Sequence, residues 1–220
     1  MSKCELDTGF NYPYDEKTYR LISRLAPLIV KYSHKFAVPP LAVAGSIADE
    51  YNTRRGSRFF LDWVQDYVVL NWLPGALIGR TYKLGYQSKW LNGTRHDLGP
   101  GNINLKTAAE VYTQFRKSFP HGFSEWSELV DYLLTDEGTV TVAALVIKKG
   151  MQELASLLLG RDPEIQVAIL VTYYKQGPTF QARFRARLGN DPTAELTPGE
   201  GCRVFHQIQR MELTKTLGLR

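Results

Sequence analysis

Glu50 is the residue of this 220-residue chain best placed for acid–base chemistry. It lies near the end of the segment Val38 to Asn52, one turn after Ser46 and Ile47, on the flank of an apolar helix face. That place disfavours a carboxylate twice over, because partial burial strips its hydration and the negative end of the helix dipole repels it. A carboxyl kept neutral near about pH 6 to 7 is what a general acid for glycoside cleavage requires. Most glutamates are solvated surface charges, so Glu50 alone decides nothing.

Two further segments bear on it. His96-Asp97-Leu98-Gly99-Pro100-Gly101-Asn102-Ile103-Asn104 is a glycine-rich turn that feeds a helix. Gly101 lets the backbone come close to a bound polymer, and Asn102 offers an amide for hydrogen bonds. A plain loop with an N-cap explains Asn104 but not the whole glycine–proline pattern. Val171 to Gly177 ends a helix with the adjacent aromatics Tyr173 and Tyr174, then Lys175, Gln176 and a terminal glycine. Core aromatics at a helix end would look the same.

The elements that must position these residues are mostly helices. Ile22, Leu25, Ile29, Tyr32 and Phe36 step by three and four between Asp15 and Phe36, one stripe of an amphipathic helix in which Pro27 predicts a kink or break, or a helix start near it. Pro39 stops it and Pro40 opens a short second helix with Leu41, Ala44, Ile47 and Tyr51 on its buried face. Residues 54–96 read as one short helix, Phe59 to Leu70, followed by a loop or β-hairpin. Asn104 caps a helix whose stripe runs through Leu105, Ala108, Tyr112, Phe115 and Phe119. Ser124 can cap a helix to Leu134, and Thr135 or Asp136 a long one to Gly160 with Gly150 as its weak point. Asp162-Pro163 opens a helix that Gly177 closes, Thr179 to Leu188 forms another, and Thr197 to Glu200 matches a capping box for a last helix through Leu213. The expected architecture is mainly α, a single domain over residues 1–220 built as a helical bundle with a small irregular or β-hairpin insertion.

In this order the three segments resemble the lysozyme-like superfamily, specifically lytic transglycosylases and goose-type lysozymes. Glu50 matches the family's catalytic glutamate near a helix end. Gly99-Pro100-Gly101-Asn102-Ile103 stands where the family has Gly-x-x-Gln-[Ile/Val], with Asn102 for the glutamine. Tyr174-Lys175-Gln176-Gly177 stands where the family has Ala-Tyr-Asn-x-Gly, with Lys175 for the asparagine. The resemblance covers roughly Val38 to Gly177, and the spacing from Glu50 to Gly99 exceeds the family's, which makes 54–96 an insertion.

The resemblance implies cleavage of the β-1,4 bond between N-acetylmuramic acid and N-acetylglucosamine in peptidoglycan, with Glu50 as acid and then base and no cofactor. In a transglycosylase the muramyl 6-hydroxyl attacks; in a hydrolase, slightly favoured, a water does, positioned by a second carboxylate. Asp97 is the favoured candidate, ahead of Asp62 and Asp66, while Asp49 points off the other side of its helix. Gly101, Asn102, Tyr173, Tyr174 and Gln176 are the implied substrate contacts.

Composition bounds these readings. Apolar residues at 44% and charged residues at 22% are ordinary for a folded soluble chain. The net charge of +5 suits an anionic partner, whether nucleic acid, acidic membrane or cell-wall polymer. Cys4 and Cys202 exclude a disulfide framework and a CxxC zinc site, leaving one long-range bridge or, by preference, two thiols. His34, His96, His121 and His206 have no metal-ligand spacing, so no metal is expected. Arg183, Arg185 and Arg187 read as a solvated face before a polymer-binding one; Trp63, Trp72 and Trp90 suit sugar stacking or core filling equally.

The first residues lack the basic and apolar regions of a signal peptide, and no apolar run is long enough for a membrane span. Synthesis in the bacterial cytoplasm is therefore expected, with action in the periplasm or cell wall after export by a holin or injection by a secretion machine. An injected antibacterial effector would imply a cognate immunity protein. The alternative from another class is a helical nucleic-acid-binding or protein-interaction module without catalysis. Its charges are dispersed, and no helix-turn-helix or aromatic RNA-binding pattern accompanies them.

Overall fold

The computed structural model describes residues 14–53, 97–191 and 207–219. The fold is mainly α. In chain order the elements are α1 (Glu16–Phe36), α2 (Pro40–Thr53), β1 (Asp97–Leu98), β2 (Ile103–Asn104), α3 (Leu105–Gln114), a 3-10 turn (Arg116–Ser118), α4 (Trp126–Leu133), α5 (Asp136–Glu153), α6 (Ala155–Leu158), α7 (Pro163–Asn190) and α8 (Gln207–Thr216). The predicted insertion, with Asp62, Asp66, Trp63, Trp72 and Trp90, lies outside the described residues, as do Cys4, Cys202 and the capping box at 197–200.

The α1 stripe is buried as its spacing predicts, but the helix runs through Pro27 without interruption. The apolar face on both sides of the proline is anchored in the core by Ile22, Leu25 and Ile29, which outweighs one lost backbone bond. α1 ends at Ala37, whose φ of 54° takes the left-handed turn usual at a C-cap. Pro40 begins α2 directly afterwards.

α2 is more central than a one-sided amphipathic helix. Every residue from 42 to 49 is buried, because α1, α5 and α7 pack around it. Its Ala42, Ala44, Ser46 and Ala48 are small enough to let those neighbours approach. α5 is its counterpart, buried continuously from Gly138 to Ile147. Gly138 sits against the end of α4, where a Cβ would stand 1.7 Å from the Tyr132 carbonyl oxygen.

Several helix ends differ from expectation by between one residue and about two turns. α3 stops at Gln114 and the chain tightens into the 3-10 turn, though Phe119 still reaches the core. α4 starts after Glu125 rather than Ser124, since the Glu128 carboxylate reaches back to accept from the amides of both residues and from Ser124 Oγ. These three donors also hold the Glu128 carboxyl below its ordinary range. The helix expected to reach Gly160 ends at Glu153, and α6 follows as a separate turn. α7 continues past Gly177, but that residue (φ 57°, ψ −146°) breaks it where the sequence places a stop. α8 extends to Thr216, beyond Leu213.

Candidate active site

The Gly99 turn is a two-residue-stranded hairpin. Asp97 pairs with Asn104 and Leu98 with Ile103, and the Asn102 amide donates to the Gly99 carbonyl at 3.1 Å. Leu98 and Ile103 are buried and fasten the hairpin to the bundle. Gly99 (φ 66°) and Asn102 (φ 51°) both take left-handed backbone, which Asn tolerates better than most residues. Asn104 then caps α3, its Oδ1 accepting from the Lys106 amide.

This turn presents Asn102 to Glu50. Asn102 Nδ2 donates to Glu50 Oε2 at 3.1 Å, across 52 residues of sequence. Glu50 is half-buried in the last turn of α2. Both residues line a groove of about 320 Å³, with Tyr173, Tyr174 and Gln176 on its α7 wall and Gly177 and Pro178 beyond them. The size is at the lower end of ligand clefts, ~300–1,000 Å³. Glu50, Asn102, Tyr173, Tyr174 and Gln176 are thus brought to one place.

The roles within that place are not all as expected. Gly101 is buried, and what comes close to it is the protein itself: a Cβ there would meet Tyr174 Oη at 3.1 Å and Thr139 Cγ2 at 3.2 Å. Tyr174 donates its hydroxyl to the Gly101 carbonyl at 2.7 Å, tying the α7 wall to the hairpin. Tyr173 is a buried ring packed on Gly150, and its hydroxyl donates to Glu153 Oε2 at 2.7 Å. Burial first, then that carboxylate acceptor, push the Tyr173 hydroxyl well above its ordinary pKa. Gln176 accepts from Arg183 Nη2. Asp97 is placed in register opposite Asn104; its side chain lies outside the described residues.

Comparison with models of known families, with characterised proteins and with solved structures found no match. The site therefore has to be understood from its own atoms. Asp49, set aside in the sequence, is buried and accepts from the Tyr14 hydroxyl at 2.6 Å and from Lys175 Nζ at 3.1 Å. Asn52 Oδ1, one turn on, accepts from the Asp15 amide and Thr18 Oγ1. The turn carrying Glu50 is held from the start of α1 and from α7 at once.

Sequence reasoning missed a second carboxylate in the groove. Glu110 lines it from α3, beside Asn104 and Thr107, and pairs at 3.1 Å with Lys149 of α5. Asn104, Thr107 and Glu110 recur at intervals of three, so one polar face of α3 was legible as a groove wall. Among the described residues no group of His, Cys, Asp and Glu is arranged to hold a metal ion, and no helix is long and apolar enough to cross a membrane.

Of the three arginines in the second half of α7, Arg183 and Arg185 are exposed, as a solvated face predicts, while Arg187 is half-buried. Phe180 and Phe184 are fully buried, the guanidinium of Arg187 lies 5.3 Å from the Phe184 ring centre, and Arg185 donates to the Glu153 carbonyl at 3.0 Å.

Proposed function

We propose that this protein cleaves the glycan strand of peptidoglycan at the β-1,4 bond between N-acetylmuramic acid and N-acetylglucosamine, with Glu50 as general acid and then base. The observation that carries this is the meeting of Glu50 and Asn102 in one groove with Tyr174 and Gln176, residues drawn from three separate segments. A carboxyl can accept the Asn102 amide at Oε2 while carrying a proton at Oε1. Donation of that proton to the glycosidic oxygen breaks the C–O bond; Glu50, now a carboxylate, takes a proton from the incoming nucleophile. Hydrolysis by water is favoured slightly over attack by the muramyl 6-hydroxyl. The biological reading is bacterial wall lysis by an antibacterial effector, delivered to the periplasm and paired with an immunity protein in the producing cell.

Digestion of purified peptidoglycan, with mass analysis of the released muropeptides, tests the proposal. Reducing muramyl ends support hydrolysis, anhydro-muramyl ends move the assignment to transglycosylation, and no release removes the glycosidase reading. Asp97→Asn sharpens the first distinction: a strong loss is expected only where a water is activated, and little change is expected for a transglycosylase.

A further inference from the structure

Asp49 directly precedes Glu50, and its side chain is 2% exposed. Its partner Lys175 keeps 19% exposure and lines the same groove as Glu50, so a buried carboxylate and its cation adjoin the candidate proton donor in sequence and in space. An unopposed cation there would favour the ionised form of Glu50, the wrong form for a proton donor. An unopposed buried carboxylate one residue away would act in the reverse sense. Among the described residues, the other charged or titratable groups bordering this region are Glu110 on α3, Lys149 on α5, and Tyr173 and Tyr174 on α7. Glu153 bonds Tyr173, Tyr14 bonds Asp49, and Lys17 of α1 lies over the Tyr51 ring. Glu110 and Lys149 already offset each other.

We infer that Asp49 and Lys175 are positioning residues that act on Glu50 as a matched pair: their contact locks the end of α2 to α7, and each cancels the field of the other at the proton donor. This rests on Glu50 being that donor. It also gives a purpose to the lysine at a position where the resembled family carries a neutral asparagine.

The test follows the Glu50 carboxyl directly, by carbon NMR titration of the full chain labelled at glutamate carboxyls, with Glu50→Gln identifying the signal. The pH profile of kcat/KM on peptidoglycan is measured beside it. Asp49→Asn leaves the cation unopposed, and should move both the titration midpoint and the alkaline limb down by about 0.5 to 1 pH unit. Lys175→Met should move both up. Lys175→Arg and the double variant Asp49→Asn with Lys175→Met should each stay within about 0.3 unit of the wild type. Lys175→Met strands a buried charge and can unfold the chain, in which case Asp49→Asn, the double variant and Lys175→Arg still decide. Midpoints that do not part, or that move together, overturn the inference. Wild-type protein that releases no muropeptides overturns the glycosidase reading instead, a result the NMR midpoints cannot mimic.

Discussion

Glu50→Gln is the residue-scale substitution with the clearest expected outcome. The amide keeps nearly the same shape and can still meet Asn102, yet it has no proton to give to a leaving oxygen. Wall lysis should fall below a tenth of the wild-type rate with the thermal midpoint unchanged; a variant retaining more removes Glu50 from the acid role. Asn102→Ala deletes one hydrogen bond to the same carboxyl. It should lower kcat/KM by roughly 5- to 150-fold, the equivalent of about 1 to 3 kcal/mol, which is less than the loss of Glu50 itself. Tyr174→Phe releases the hairpin from α7 without emptying the groove wall, because the hydroxyl it removes is bonded to Gly101. Its effect on activity should come with a measurable drop in stability, about 0.5 to 1.5 kcal/mol by urea unfolding.

At the scale of elements, two glycines of α5 separate helix propensity from packing. Alanine in a helix interior ordinarily gains about 1 kcal/mol over glycine. At Gly150 the new Cβ would stand 2.7 Å from Tyr173 Cδ1, and at Gly138 it would meet backbone at 1.7 Å. Gly150→Ala should therefore lose about 1 to 3 kcal/mol net as the tyrosine ring is displaced, and Gly138→Ala should lose more, since a carbonyl cannot swing aside. Denaturant midpoints would order the two. Gly150, read from the sequence as a weak point, is in this light a seat for Tyr173. The caps were legible where the signal is local: Asn104, Thr135 and Pro40 each start the helix their sequence announces. The Ser124 cap was not, because Glu128 takes the Ser124 hydroxyl and the amides of Ser124 and Glu125, which leaves Glu125 as the N-cap in a capping box with Glu128. The full burial of α2 was not legible either, since it depends on three helices meeting there, and no periodicity within α2 contains them. Glu50 and Asn102, which meet in the structure, were singled out by a pattern in the chain, whereas the partnership of Asp49 with Lys175 spans 126 residues and leaves no trace in either neighbourhood.

At the scale of the whole molecule, the buried tyrosines are expected to limit stability at alkaline pH. Burial, then a hydrogen bond to Glu137, pushes the Tyr32 hydroxyl from 10.0 up to about 12, and burial raises Tyr132 as well as Tyr173. An unfolded tyrosine loses its proton near 10, while these keep theirs in the folded chain. Between about pH 10 and 12 the unfolded state binds fewer protons, so the stabilisation present below that window is lost as pH rises through it. The thermal midpoint should fall steeply across this range, and Tyr32→Phe should flatten the fall; an unchanged slope in that variant would assign the loss to other groups.

The walls of the groove are contributed by residues 50, 102–104, 107, 110, 146, 149 and 173–178, and the last of these follow the exposed link around Gly160 that separates α6 from α7. A chain ending at Gly160 would hold Glu50, Asn102 and the α3 and α5 side of the groove but would lack its α7 wall. On the glycosidase reading proposed above, cleavage should therefore require α7 to be in place. The same division suggests a split protein: if the proposed function holds, residues 1–160 and 161–220, made apart, should each be inert on peptidoglycan, and mixing them should restore turnover as α7 docks back onto α2 and α5.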